Sequence, residues 1–319
     1  MKRILFITTK NLDYLRNVQE IEKLKMDYDV NVIGYMDKSY IKRLIKIYLK
    51  LIRYNIRDID SVFIGFAPQL ILPFWNWKLK NKYKTIDFFI SLYDTMVFDR
   101  ALFKKNSLIA KILKKIDEIT IQKADHIIVD TKAHGQYFIE ELHANPKKIE
   151  ILYLNADESI YYPREKNKPE NYKDMFIVLY FGSILPLQGV DVVLEAADQL
   201  KNDDKILFEI IGPIGGKYYK PPNNNIVYYS WLNQEDLAEH IAYADLCLAG
   251  HFNDHIMKAK RTIPGKAYIY KAMRKKMILG DNPANRELFD ERKQGIYFVP
   301  MGDAEILAQT IKQLKAQET

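Results

Sequence analysis

The chain has 319 residues, with 48 Lys plus Arg against 41 Asp plus Glu, a formal charge of +7. At roughly 150 residues per domain this length suggests two domains. A content of 48% hydrophobic and 28% charged residues, with 13 Gly and 12 Pro, excludes disordered, collagen-like and low-complexity classes. Cys247 is the single cysteine, which excludes an intramolecular disulfide and a four-cysteine zinc site. No run approaches the roughly 18 apolar residues of a membrane span. Met1-Lys2-Arg3 leads into a short apolar run with no cleavage signature. A soluble cytoplasmic protein is expected.

Taken in chain order, strand and helix alternate. Residues 3–9 read as a strand, 14–25 as a helix and 30–35 as a second strand. The stretch Tyr40–Arg57 then carries Lys42, Arg43, Lys46, Lys50, Arg53 and Arg57 with no acid. At about 100° per residue its apolar stripe is Ile41, Leu44, Ile45, Tyr48, Leu49 and Ile52, widened by Ile47 and Leu51, with the basic side chains opposite. Two readings stand together: a helix packed on its sheet with a solvated basic face, and a peripheral dock on anionic lipid. Nucleic acid is disfavoured, because no aromatic stacking pattern accompanies the charge. Strands follow at 61–66, 85–92, 126–130 and 148–153, with a helix over 108–123 on the spacing Leu108, Ile112, Ile116, Ile119. Near-continuous apolar strands separated by helices predict a parallel sheet covered on both faces.

Residues 156–174 are polar, carry two prolines and read as a linker. Strand and helix then alternate again: strands at 176–181, 206–211, 226–229, 246–249 and 277–280, helices at 190–200, 234–243, 263–273 and 303–315. The organisation expected is one domain over 1–155, the linker 156–174, a second domain over 175–302 and a C-terminal helix over 303–319. Both domains are α/β and doubly wound, and they are expected to face each other across a cleft at the carboxyl ends of the strands.

Phe181-Gly182-Ser183 closes the first strand of the second unit, and Gln188-Gly189-Val190-Asp191 opens the next helix. Such a junction offers backbone N–H groups and the positive end of a helix dipole to a phosphate; a plain strand-to-helix turn would look similar. Around it come Ala124-Asp125-His126-Ile127-Ile128-Val129-Asp130-Thr131, Tyr153-Leu154-Asn155-Ala156-Asp157, Glu209-Ile210-Ile211-Gly212-Pro213, Tyr243-Ala244-Asp245-Leu246 and Ile263-Pro264-Gly265-Lys266-Ala267-Tyr268-Ile269-Tyr270. This order, from about residue 85 to 300, resembles the GT-B glycosyltransferases of family four.

The resemblance implies Rossmann-like domains and transfer of a sugar from a nucleotide-diphosphate donor to a hydroxyl, with retention and without a metal or resident cofactor. It implies that Gly182 and Ser183 meet the donor diphosphate and that Gly189 opens the helix beneath it. Gln188 stands where the family usually has Lys. The family's two glutamates, eight positions apart, fall at Arg261 and Ile269, so both are absent. Lys266 and Arg261 are then the candidate cations for the diphosphate, with Tyr270 and Asn282 also on the donor side. Asp94, after a strand of the first unit, is the candidate catalytic residue that orients or deprotonates the acceptor; a helix cap is the plain alternative. Lys10, His251 and Asp254 are candidate sugar or acceptor contacts. Asp58-Ile59-Asp60 matches a DxD metal motif but precedes its strand, at the wrong end of the sheet. His251 and His255 lack a third ligand of suitable spacing for zinc. Partners implied are a nucleotide-sugar and a glycan, lipid-linked or protein acceptor at the cytoplasmic membrane face. The alternative is a silent GT-B subunit that stabilises or targets an active partner.

Overall fold

A computed structural model describes residues 1–216 and 218–318. The chain divides into two compact units, Met1–Tyr153 and Leu154–Thr319.

In the first unit six parallel strands lie in the order β2-β1-β3-β4-β5-β6: β1 (Lys2–Ile7), β2 (Tyr28–Ile33), β3 (Ser61–Ile64), β4 (Tyr83–Asp87), β5 (His126–Val129) and β6 (Ile149–Ile151). Alternate residues of these strands point to opposite faces. Leu5, Ile7, Val62, Ile64, Ile86, Ile127 and Val129 share one fully buried core. It is closed by α2 (Tyr40–Arg53), α3 (Leu72–Leu79), α4 (Leu108–Lys123) and α5 (Lys132–Leu142). Ile4, Phe6, Phe63 and Ile128 point the other way, onto Ile21 and Leu24 of α1 (Leu15–Lys25). The cover is therefore unequal: one face takes four helices and the other packs chiefly on α1.

Three expectations need correction here. The strand expected to reach residue 92 stops at Asp87. Beyond it the Ser91 hydroxyl and the Leu92 and Tyr93 N–H groups donate to the buried Asp117 carboxylate, which draws the backbone out of the ladder. In α2 the buried residues are Arg43, Ile47 and Leu51, while Ile41, Ile45, Leu49 and Ile52 are exposed. The Arg43 guanidinium donates to the Thr9 and Asp37 carbonyls, and the Tyr40 hydroxyl to Thr9 Oγ1, which fixes the helix's rotation. In α4 the buried set is Ala110, Asp117, Thr120 and Ile121, whereas Leu108 and Ile112 face water. Helices α3 and α5 were not anticipated; α3 (LPFWNWKL) is apolar around most of its circumference and carries no clear period.

The second unit repeats the plan with order β12-β11-β10-β7-β8-β9, all parallel. Its strands are β7 (Phe176–Phe181), β8 (Ile206–Ile211), β9 (Ile226–Tyr229), β10 (Leu246–Gly250), β11 (Met277–Gly280) and β12 (Ile296–Val299). Its helices are α6 (Val190–Gln199), α7 (Gln234–Tyr243), α8 (Gly265–Ala272), α9 (Pro283–Leu288) and α10 (Ala304–Ala316). β8 is buried along its whole length and β7 over all but its last residue, which explains the apolar run of β7 and that of β8, broken only by Glu209, buried on His240 and Tyr243. Part of the polar stretch before β7 is strapped to this unit, with Lys168 Nζ 2.6 Å from Asp245 and Lys166 Nζ 3.1 Å from Glu239. In each sheet the chain reverses direction beside the first strand, between β1 and β3 and between β7 and β10. The crevice beyond the strand carboxyl ends at such a point is where doubly wound folds hold ligands.

Candidate functional site

In the second unit the crevice is built from the ends of β7 and β10 and the start of α8. Gly182 follows β7, and a Cβ there would stand 2.5 Å from Gln188 Oε1 and 3.3 Å from Lys266 Nζ. A Cβ on Gly212, which follows β8, would overlap the Gly182 carbonyl oxygen. Between them sits Ile184 with φ +54°, a left-handed conformation costly for a β-branched residue. Gly189 has φ +66°, and a Cβ there would lie 2.6 Å from the Asn253 backbone nitrogen, so glycine alone fits. It precedes α6, whose first turn packs beneath the Phe252–Asn253 backbone with Val190 fully buried.

Lys266, in the first turn of α8, is 5% exposed. Its Nζ donates to Gln188 Oε1 at 3.1 Å and stands 3.6 Å above the Tyr180 ring centroid. The Tyr180 hydroxyl donates to the same amide oxygen at 3.1 Å. Burial holds the Lys266 ammonium well below the usual lysine value, and among the described residues no carboxylate compensates it. A buried lysine contacted by an aromatic face and one neutral amide oxygen keeps N–H donors with which an anion can bond.

His251 follows β10 and is likewise buried, its Nε2 3.3 Å from Thr262 Oγ1. Burial, and then Lys266 and Lys258, push its imidazolium down to about 3, so the ring is neutral at physiological pH. His255 is exposed, and among the described residues no group of three or more His, Cys, Asp or Glu could hold a metal ion. Cys247, inside β10, is core, with burial pushing its thiol up to about 12.

Gly182, Gln188, Gly189 and Lys266 thus come together, with Ser183 exposed on the same loop. Arg261 is half-buried after the turn Met257–Lys260, its N–H bonded to the Lys258 carbonyl. Tyr270 lies behind the loop, fully buried with its ring edge-on to Phe181 at 5.6 Å. The Asn282 side chain caps α9 by accepting from the Asn285 N–H at 2.8 Å. Asp254 packs against Gly302, where a Cβ would stand 2.7 Å from its carboxyl carbon.

In the first unit, Thr9 bridges the ends of β1 and β3 by donating to the Phe66 carbonyl at 2.7 Å. Lys10 Nζ sits over the Tyr14 and Phe66 rings at 5.6 and 5.3 Å. Asp94 is buried, 1% exposed, at the start of a wide helical turn, its N–H donating to Ser91 Oγ at 2.9 Å. Asp117 holds this turn: it accepts from Ser91, Leu92, Tyr93 and Gln69, and burial pushes its carboxyl up to about 6. Nearby, Arg16 makes a buried bidentate pair with Asp87 at 2.5 and 2.6 Å. Burial and the adjacent Asp87 raise the Glu20 carboxyl well above its usual value.

Sequence reasoning missed Tyr180, Gly212, Asp117 and the Arg16–Asp87 pair.

Residues 175–317 match the family described as Glycosyl transferases group 1. An uncharacterized 41.2 kDa protein in the cps region of Klebsiella pneumoniae is 23% identical over 215 residues, 66% of this chain and 58% of that protein. D-inositol 3-phosphate glycosyltransferase of Streptosporangium roseum is 25% identical over 41% of this chain and 30% of its own length. The chain therefore spans little more than half, or less, of these relatives. Sucrose-phosphate synthase from Thermosynechococcus elongatus superposes with a TM-score of 0.70 at 12% identity, over 99% of this chain and 90% of that one. Anabaena HepE in complex with UDP and glucose gives 0.65 at 12% identity, over 100% and 92%. These likenesses carry the fold, two doubly wound α/β units of the GT-B type.

Proposed function

We propose that this chain, a GT-B glycosyltransferase of the group 1 type, moves a sugar from a nucleotide-diphosphate donor to a hydroxyl of a glycan, lipid-linked glycan or protein. The observation that carries the donor reading is Lys266, a buried lysine with no carboxylate partner among the described residues, set against the Gly182 turn at the end of β7. As the bond from the sugar's anomeric carbon to the diphosphate breaks, negative charge gathers on the leaving oxygens. Backbone N–H groups of residues 183–185, the α6 dipole, Lys266 and Arg261 neutralise it. Gly182 and Gly189 let the backbone approach the phosphates, and His251, neutral and buried beside Lys266, serves the sugar side. On the first unit, Asp94 is proposed to orient the acceptor hydroxyl or take its proton, held in place by Asp117 through Ser91. The reading takes no metal and no resident cofactor, and retention of configuration follows the family resemblance.

HepE, a structural neighbour, is described in complex with UDP and with UDP-glucose, which supports a nucleotide-sugar as the donor class. The capsule-region relative supports a polysaccharide acceptor. We place the enzyme at the cytoplasmic face of an anionic membrane. A second reading, a silent subunit, is favoured by Arg261 and Ile269 standing at the family's glutamate positions.

Release of nucleoside diphosphate from each of several nucleotide-sugars, with a lipid extract as acceptor and with or without Mg²⁺, tests both readings. Turnover of one donor, lost in Lys266→Met, supports the enzyme. Nucleotide binding without turnover of any donor favours the silent subunit.

A further inference from the structure

Helix α2 carries three faces where packing on a sheet calls for two. Ile47 and Leu51 are fully buried, with Leu44 and Tyr48 half-buried beside them. On one shoulder Ile41, Ile45, Leu49 and Ile52 are 71%, 53%, 47% and 62% exposed. On the other, Lys42, Lys46, Lys50 and Arg53 are exposed. Spacings of four, four and three residues put each set on one line along the helix. The apolar ridge lies on the side of Tyr48, whose ring packs edge-on against Trp75 of α3 at 5.4 Å. Lys78 of α3 donates to the Leu51 and Ile52 carbonyls at the same helix's end. The ridge therefore runs toward α3, where Phe74 and Trp77 are 55% and 69% exposed. Aligned side chains of this kind form a patch, unlike apolar residues scattered singly over a surface.

Charge decides what covers the patch. The row of cations contains no acid within the helix; Asp37, just before it, is paired with Lys46 at 3.0 Å. A second copy would set the same cations against each other. The complementary partner is negative at its surface and apolar beneath, which describes a bilayer of anionic lipid.

We propose that α2 lies in the headgroup layer of an anionic membrane, its aliphatic ridge and Trp77 inserted and Lys42, Lys50 and Arg53 among the lipid phosphates. Trp at that depth keeps its ring at the interface. The inference deepens the membrane-side reading above and rests on it for its purpose, but no step of donor chemistry enters it.

The test is co-sedimentation of the full chain with phosphatidylcholine vesicles, with and without a third of phosphatidylglycerol. Binding is expected only to the anionic vesicles, with a blue shift in emission that Trp77→Phe abolishes. Lys42→Ala/Lys50→Ala should weaken it about 30-fold, on the basis of about 1 kcal/mol per basic residue. Ile45→Ser/Leu49→Ser, which leaves the charge unchanged, should weaken it at least about tenfold through lost apolar insertion. All these side chains are exposed, so unchanged thermal melting certifies the fold. No sedimentation with anionic vesicles, or Ile45→Ser/Leu49→Ser binding as tightly as the parent, overturns the inference. Donor turnover in detergent solution, measured alongside, would in that case leave the transferase reading standing.

Discussion

Lys266→Met separates the cost of a charge from its use. Taking an ammonium out of water costs several kcal/mol even after relaxation. Here the partial compensation is a ring face at 3.6 Å and one neutral amide oxygen at 3.1 Å, worth about 2 kcal/mol each. Methionine has similar length and no charge, and Gln188 Oε1 still accepts from the Tyr180 hydroxyl. A net stabilisation of about 1–2 kcal/mol is expected, which for a unit of this size raises Tm by about 2–8 °C. The sign of its pH dependence is also fixed. Because burial lowers the lysine's value in the folded chain, the unfolded chain binds more protons between that lowered value and about 10.4. Parent stability therefore climbs with pH across that window, and the advantage of Lys266→Met shrinks as pH rises. Nucleoside diphosphate affinity should fall about 100-fold in the same variant, from the loss of charge-assisted bonds worth about 3 kcal/mol. Differential scanning calorimetry at several pH values, with and without nucleotide, reads both effects. A variant that melts lower than the parent, with no pH trend in the difference, would refute the reasoning, because Lys266 would then be structural.

Other perturbations follow from the same geometry. His251 titrates at about 3 in the folded chain against about 6.5 unfolded, so the unfolded chain binds more protons between those values and stability falls on acidification. His251→Asn should therefore lose about 3 kcal/mol less than the parent between neutral pH and about pH 4.5, read from urea midpoints at the two pH values. Equal losses would show that the imidazole is not held neutral. Gly212→Ala drives a methyl into the Gly182 carbonyl, and about 1–3 kcal/mol of stability should go with it, together with nucleotide affinity. A variant that melts and binds like the parent contradicts the close approach. Asp117→Asn replaces a carboxylate that accepts from Ser91, Gln69 and two backbone N–H groups. It should cut turnover with little change in nucleotide affinity, since the turn it holds carries Asp94; unaltered turnover would remove that turn from the chemistry.

Much of the fold was legible because β7 and β8 are buried along nearly all their length, so their sequences are apolar runs, interrupted only by Glu209, that end where the ladder ends. Rotation of the amphipathic helices was not legible. Arg43 is a charged residue that faces inward to tie Thr9 and Asp37, so in α2 only the Ile47 and Leu51 margin of the apolar stripe is fully buried, and with Asp117 buried in α4, Leu108 and Ile112 of its stripe face water. At the candidate site, Gly182, Gln188, Gly189 and Lys266 could be named from their order along the chain. Tyr180 and Gly212 could not, because their roles depend on two neighbouring strand ends converging, and that contact leaves no local signature.

The central claim, that the β7–α6 turn and Lys266 form a diphosphate receptor, is tested most directly by calorimetric titration of the full chain with UDP, GDP, dTDP and CMP. The account predicts selective binding of one nucleoside diphosphate, stronger than its monophosphate and lost in Lys266→Met. Failure of every diphosphate to bind, or binding unchanged in Lys266→Met, would contradict it.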